Sequence, residues 1–159
     1  AAEHLCSLYF RNYGVPTVSL RYFTVYGPRQ RPDMATHRLI RSALDRSVFT
    51  MFGDGTQIRD FTFVADAVEA NVAAATTPDV AGSIVNVGGG SAATMLDVVE
   101  GVTAAAGMAP NIVFSNSVAG DVFQTGADIA AAQEVLGWRP VTPLLEGIAA
   151  QVASLRADV

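Results

Sequence analysis

The chain has 159 residues, of which 50% are hydrophobic and 16% charged, so it can bury the core of one folded domain. This composition excludes an intrinsically disordered chain, and the net charge of −5 argues against nucleic acid as a general partner. The sequence has no run of roughly 18 apolar residues that would cross a membrane. Its single cysteine, Cys6, excludes an internal disulfide and favours a cytoplasmic location.

The first half of the chain is predicted to alternate helices with strands. A helix opens the chain and ends at Gly14, which suits a left-handed cap. The elements that follow are a buried strand (15–23), a loop (27–33), a helix (35–46), two short strands (48–52 and 58–63) and a helix (64–77).

The second half continues the same alternation, which is typical of the α/β class. The predicted elements are a strand (83–87), a helix (94–106), a strand (112–114) and two helices (129–136 and 143–155). Thr94, Asp128 and Thr142 are predicted to cap the three helices. No linker or repeat interrupts the pattern, so we expect one structural unit over residues 1–159.

Arginines form the first candidate for chemistry, because seven of them lie between Arg11 and Arg46. A guanidinium group matches the oxygens of phosphates and carboxylates, so a positive cluster after a strand predicts an anionic ligand. The alternative is that these side chains simply face solvent, as most charged residues do. The five candidates are Arg21, Arg29, Arg31, Arg38 and Arg59.

Four ordered segments carry a family resemblance. They read R-Y-F-T-V-Y-G-P at 21–28, G-D-G-T-Q-I-R-D-F-T-F-V-A-D at 53–66, G-D-V-F-Q-T-G-A-D at 120–128 and L-G-W-R-P at 136–140. Together they resemble the extended short-chain dehydrogenases, and within them the NAD-dependent nucleotide-sugar epimerase/dehydratase family. Many members have an arginine where this chain has Phe123 or Gln124.

The resemblance implies a fold and an activity. The fold is the C-terminal part of a Rossmann-like sheet with a smaller substrate-binding region. Residues 1–34 would end the dinucleotide-binding sheet, and residues 35–159 would form mostly the substrate-binding region, interleaved with the last sheet strands. The activity is C4 epimerisation of a UDP-hexose or UDP-hexuronate by transient hydride transfer to NAD, in a homodimer.

The catalytic pair of this family, Tyr-x-x-x-Lys, has no counterpart in the chain, which contains no lysine. The resemblance places that pair just before Ala1, and the glycine-rich half that binds most of NAD farther upstream. We therefore expect no catalytic residue within the 159 residues and no activity from this chain alone. We also expect the isolated chain to be unstable or to aggregate, because open sheet edges attract other strands.

Residues for substrate and cofactor also follow from the resemblance. The substrate residues are Thr24 and Arg31 at a sugar carboxylate, Arg38 and Arg59 at the diphosphate, Thr50 and Phe52 at the base, and Asp121 at the ribose. The cofactor residues are Tyr22 and Phe23, the latter beside the nicotinamide. Threonine at position 24, where galactose-type epimerases usually have asparagine, favours a hexuronate.

Other polar or glycine-rich features have structural explanations. The three glycines at 88–90 follow a strand but lack the lysine and spacing of a phosphate loop. Asp66 is expected to brace the helix that follows it. His4 and His37 have no ligand-spaced neighbours, so no metal site is predicted.

Two alternatives to an epimerase stay open. A 4,6-dehydratase or decarboxylase of the same family needs further acid and base residues that usually lie near the absent tyrosine. A non-catalytic module that binds nucleotide sugars would need no reaction chemistry. Tight UDP binding by this chain without NAD would favour the binding module.

Overall fold

The computed structural model describes residues 1–90, 92–118 and 120–157, which form six helices and seven strands. The helices are α1 (Ala2–Tyr13), α2 (Ala35–Asp45), α3 (Val64–Thr76), α4 (Met95–Ala106), α5 (Ala130–Leu136) and α6 (Leu144–Ala157). The strands are β1 (Ser19–Tyr22), β2 (Thr24–Tyr26), β3 (Val48–Phe52), β4 (Ile58–Phe63), β5 (Ile84–Val87), β6 (Ala92–Thr94) and β7 (Asn111–Ser115).

The described strands form three small sheets that are mainly parallel. β1 pairs with β5, and β3 pairs with β7, both in parallel. β4 lies between β2, which is parallel to it, and β6, which is antiparallel. Parallel pairs need a crossover connection, and helices supply it here, as the predicted α/β class requires.

The prediction of one buried strand over 15–23 is wrong. The chain changes partners at Phe23, whose N–H donates to the carbonyl of Val87 (3.1 Å), so β1 pairs with β5 and β2 with β4. Arg21 and Tyr22 are exposed at the end of β1. The short strand β6 was not predicted, because an Ala-Ala-Thr segment carries little strand propensity.

Helix ends agree with the predicted caps in part. Gly14 adopts a left-handed conformation (φ 66°), and Thr94 forms a capping box with Asp97. Asp128 accepts from the Ala130 N–H (3.0 Å), but the N-cap position of α5 is Ile129. Asp66 lies in the first turn of α3, as expected, but its side chain does not cap that helix: its Oδ2 accepts from the Thr142 N–H (3.0 Å) and ties the segment before α6 to α3.

Two clusters of buried apolar side chains hold these elements together. One cluster joins α2, β3, β4, α4 and α6, and the other joins α3, β5, α5 and the segment around Trp138. β3, β4 and α2 of the first cluster also form walls of the cavity described below. Among the helices that the structure describes, none has the length and apolarity to cross a membrane.

Candidate functional site

A cavity of about 360 Å³ lies where β2, the start of α2, β3 and β4 meet. Six of the seven side chains predicted to bind substrate line it: Thr24, Arg38, Thr50, Phe52, Arg59 and Asp121. The seventh, Arg31, is not among the lining residues. Its Nη2 lies 2.9 Å from Asp33 Oδ2, and both side chains are largely exposed (74% and 67%).

Arg59 closes one side of the cavity through three hydrogen bonds. Its Nη2 donates to Asp121 Oδ1 (2.6 Å), and its Nη1 donates to the carbonyls of Ile58 (2.9 Å) and Phe123 (3.3 Å). The Ile58 N–H also donates to Phe123 O, so segment 121–125 runs along β4. A guanidinium carries five N–H groups, so Arg59 retains donors for an anion in the cavity.

Arg38 supplies a second positive charge to the same cavity. It projects from α2, with its guanidinium carbon 5.7 Å from the centre of the Phe49 ring. This cation–π contact holds the side chain against the cavity wall. Arg38 forms no ion pair within the part of the chain that the structure describes, so its charge is available to a ligand.

Asp60, the neighbour of Arg59 in β4, holds the segments around Gly89 and Ala127 against this strand. It is 3% exposed and accepts from two backbone amides: Gly89 N–H to Oδ1 (2.7 Å) and Ala127 N–H to Oδ2 (3.0 Å). A side chain on Gly89 would overlap the carbonyl of Phe61, which explains the glycine. The Gly89 amide thus holds a carboxylate of the chain itself, and not a ligand phosphate.

The loop between β2 and α2 contributes Gln30, Asp33 and Met34 to the cavity, and sequence analysis did not identify them. Gln30 Oε1 accepts from the side chain of Gln151 in α6 (2.9 Å), so the loop is tied to the last helix. The sequence does contain one signal for the tie between this loop and the last helix. Gln151 stands at a core position of α6, between Ile148 and Val152 in helical spacing, where a polar residue is unusual.

The two residues predicted to contact NAD lie outside the cavity, at the carboxyl end of β1. Phe23 follows directly after that strand, and its N–H donates to the Val87 carbonyl (3.1 Å) of the paired strand β5. The Tyr22 hydroxyl donates to Asn71 Oδ1 (2.7 Å) in α3.

Tyr26 adjoins the loop but does not offer an acid or base to the cavity. Its side chain is buried, and burial together with the charges of Asp66 and Glu146 raises the pKa of its phenol, so it stays neutral at neutral pH. Its hydroxyl donates to the carbonyl of Leu144 (3.2 Å). Within the residues described, no group of three potential metal ligands occurs.

A family model and two related proteins all place this chain among the same group of enzymes. Residues 1–88 match the model of the NAD dependent epimerase/dehydratase family. The uncharacterized UDP-glucose epimerase YtcB of Bacillus subtilis is 44% identical over 153 residues, which are 96% of this chain and 48% of that protein. The UDP-glucuronate 4-epimerase of Thermodesulfobacterium geofontis is 35% identical over 148 residues, which are 92% of this chain and 45% of that protein.

A solved structure agrees with this assignment. The UDP-glucuronic acid 4-epimerase of Bacillus cereus, in complex with UDP-glucuronic acid and NAD, superposes with a TM-score of 0.92 at 43% identity. The match covers 99% of this chain and 50% of that one. The chain therefore spans about half the length of the relatives it matches, and its α/β fold is the Rossmann-like fold of these epimerases.

Proposed function

The chain belongs to the NAD dependent epimerase/dehydratase family, and from this premise we propose that it forms the substrate-binding half of a UDP-sugar 4-epimerase. In this proposal residues 1–34 lie on the cofactor side and residues 35–159 mostly on the substrate side. The reaction inverts the configuration at C4 of the sugar. The homodimer and the cytoplasmic location expected from the sequence remain predictions.

The observation that carries the proposal is the joint placement of Arg38, Arg59 and Thr24 on one cavity. Two guanidinium groups suit the two negative phosphates of a nucleotide sugar, because charge-assisted bonds to phosphate are the stronger class of hydrogen bond. In our assignment Arg38 and Arg59 bind the diphosphate. Thr24, on β2, then faces the sugar.

The base and ribose occupy the remaining wall of the cavity in this proposal. Thr50 and Phe52 belong to β3 and border the base, and Asp121 accepts hydrogen bonds from the ribose hydroxyls. Asp121 is held by Arg59 at 2.6 Å, so the ribose and diphosphate contacts are coupled through one ion pair.

We propose a hexuronate as the sugar, recognised by Thr24 and Arg31. Arg31 pairs with Asp33, which lines the cavity, but both groups are exposed and such a pair contributes little to stability. The guanidinium of Arg31 can therefore exchange Asp33 for a sugar carboxylate at small cost. A neutral hexose would offer it no such partner.

NAD, when bound, supplies a hydride acceptor next to C4 of the sugar. Tyr22 and Phe23 provide a part of its binding site in this proposal, with the Phe23 ring against the nicotinamide. The residues of this chain act on the other reactant: they bind the nucleotide, orient the sugar and keep its C4 in place.

The test is turnover by the complete gene product, supplied with NAD and either UDP-glucuronate or UDP-glucose, with products separated chromatographically. We expect conversion of UDP-glucuronate into its C4 epimer and much slower conversion of UDP-glucose. Equal turnover of both would remove the carboxylate argument. Release of carbon dioxide would identify a decarboxylase, and tight UDP binding without any turnover would identify a binding module.

A further inference from the structure

Gln151 is a polar side chain in an apolar environment, and both ends of its amide are bonded. It is 1% exposed, on the face of α6 that also carries Ile148 and Val152. Its Oε1 accepts from the Gly27 N–H (3.1 Å), and its Nε2 donates to Gln30 Oε1 (2.9 Å). A buried amide destabilises a core unless such bonds are made, so both bonds are needed for it to be tolerated there.

Gln30 extends this connection to both ends of the loop. Its Nε2 donates to the carbonyl of Val25 in β2 (2.9 Å), and its Oε1 also accepts from the N–H of His37 in α2 (3.0 Å). The two glutamines therefore link β2, the loop, the first turns of α2 and α6. We call Gln30 and Gln151 the glutamine relay.

Within the described residues, the other hydrogen bonds of the loop reach only the loop itself and the start of α2. The Gln30 N–H donates to Gly27 O (3.2 Å), and the Met34 N–H donates to Arg31 O (3.1 Å), so each joins the loop to itself. The ring Nδ1 of His37 lies 3.1 Å from Gln30 O and joins the loop to α2. Arg29 adopts a left-handed backbone conformation (φ 65°), which is costly for a residue other than glycine. The glutamine relay supplies the hydrogen bonds that tie the loop to α6 within the described residues.

We propose that Gln151 is a positioning residue for sugar recognition, and that it acts through Gln30, without itself lining the cavity. The proposal rests on the function proposed above. The loop carries Gln30 and Asp33 on the cavity and Arg31 beside it, so its position decides how a sugar meets these groups. At the nucleotide end, Arg59 is bonded to β4 and to Asp121, and Arg38 is held against the Phe49 ring of β3, so neither arginine is bonded to the relay.

Calorimetry on the complete gene product separates the two ends of the ligand. UDP reports the nucleotide end, and UDP-glucuronate reports both ends. Gln151→Leu should bind UDP within about twofold of the unaltered protein but lose about tenfold in affinity for UDP-glucuronate, the size expected when a buried hydrogen bond is lost. Val152→Ala is the matched control, because it perturbs the same helix without touching the relay, and it should leave both affinities unchanged.

A double-mutant cycle distinguishes an effect of Gln151 that passes through Gln30 from a general loss of stability. If Gln151 acts through Gln30, the variant Gln30→Met combined with Gln151→Leu should bind UDP-glucuronate no worse than the weaker single variant. Additive losses would overturn the proposal. So would equal UDP-glucuronate binding by Gln151→Leu and the unaltered protein.

Hydrogen exchange gives a readout that needs no ligand. The amides of Gly27 and His37 should exchange faster in Gln151→Leu, and the His37 amide alone should do so in Gln30→Met. If Gln151→Leu does not fold, Gln30→Met carries the test, and an unchanged His37 amide there would overturn the proposal. Failure of the unaltered protein to bind UDP-glucuronate would instead contradict the proposed function, whatever the exchange result.

Discussion

Replacing Asp60 tests how strand β4, which carries Arg59, is held to the segments around Gly89 and Ala127. The carboxylate receives two backbone N–H groups, at 2.7 and 3.0 Å, and has no ion-pair partner within the described residues. Asp60→Asn keeps one acceptor oxygen but turns an NH2 group toward the other N–H. One buried donor is then left without a partner.

The expected size follows from those two bonds. A hydrogen bond to a charged group contributes about 1.5–3 kcal/mol, and an orphaned buried donor costs a similar amount. Neutralising a buried charge offsets part of this, so we expect Asp60→Asn to lower the free energy of unfolding by about 2 kcal/mol. Asp60→Ala orphans both donors and should lower it by about 4 kcal/mol.

Urea unfolding of the complete gene product, followed by circular dichroism, measures these changes. Thr62→Val is the matched control, because Thr62 is buried in the same strand and its hydroxyl has no hydrogen-bond partner among the described residues. It should change the unfolding free energy by at most about 0.5 kcal/mol, or raise it slightly. A change below about 0.5 kcal/mol for Asp60→Asn would refute the reasoning.

Two further predictions concern the backbone at Gly89 and the dependence of stability on pH at Asp97. Gly89→Ala should destabilise the protein by at least about 3 kcal/mol or prevent folding, because its methyl group would overlap the carbonyl of Phe61. Gly126→Ala, which meets open space, should be tolerated, and thermal melts of the two variants would show the contrast. Hydrogen bonds from Thr94 lower the pKa of Asp97 below its ordinary value of 3.8. The capping box therefore stabilises α4 fully above pH 3.8, and this contribution is lost as the pH falls through the lowered pKa of the folded protein. Unfolding measured between about pH 5 and about pH 3 should therefore show a shallower loss of stability for Asp97→Asn than for the unaltered protein, and identical slopes would contradict the assignment.

Local signals predicted most of the elements. The strands β3 (48–52) and β4 (58–63) have the bounds predicted from the apolar spacing of the sequence. Thr94 and Gly107 mark the ends of α4, because capping depends on a few neighbouring residues. Such features need no information from distant parts of the chain.

Features that depend on distant contacts could not be predicted in the same way. The switch of partners at Phe23 depends on where β4 and β5 lie, and nothing in the apolar run 15–23 encodes it. The roles of Asp60 and Gln151 rest on partners that are 67 and 121 residues away. Six predicted substrate residues share one cavity, whereas Arg31 lies outside its lining, paired with its exposed neighbour Asp33.

The central claim is that Arg59 and Arg38 form a diphosphate site, and calorimetry with UDP and uridine tests it most directly. Arg59→Leu, in the complete gene product, should weaken UDP binding by roughly a hundredfold. Uridine lacks the phosphates and should lose far less, only what the freed Asp121 costs at the ribose. Arg139→Leu, an exposed arginine that does not line the cavity, serves as the control. Unchanged UDP affinity in Arg59→Leu, or equal losses for UDP and uridine, would contradict the account.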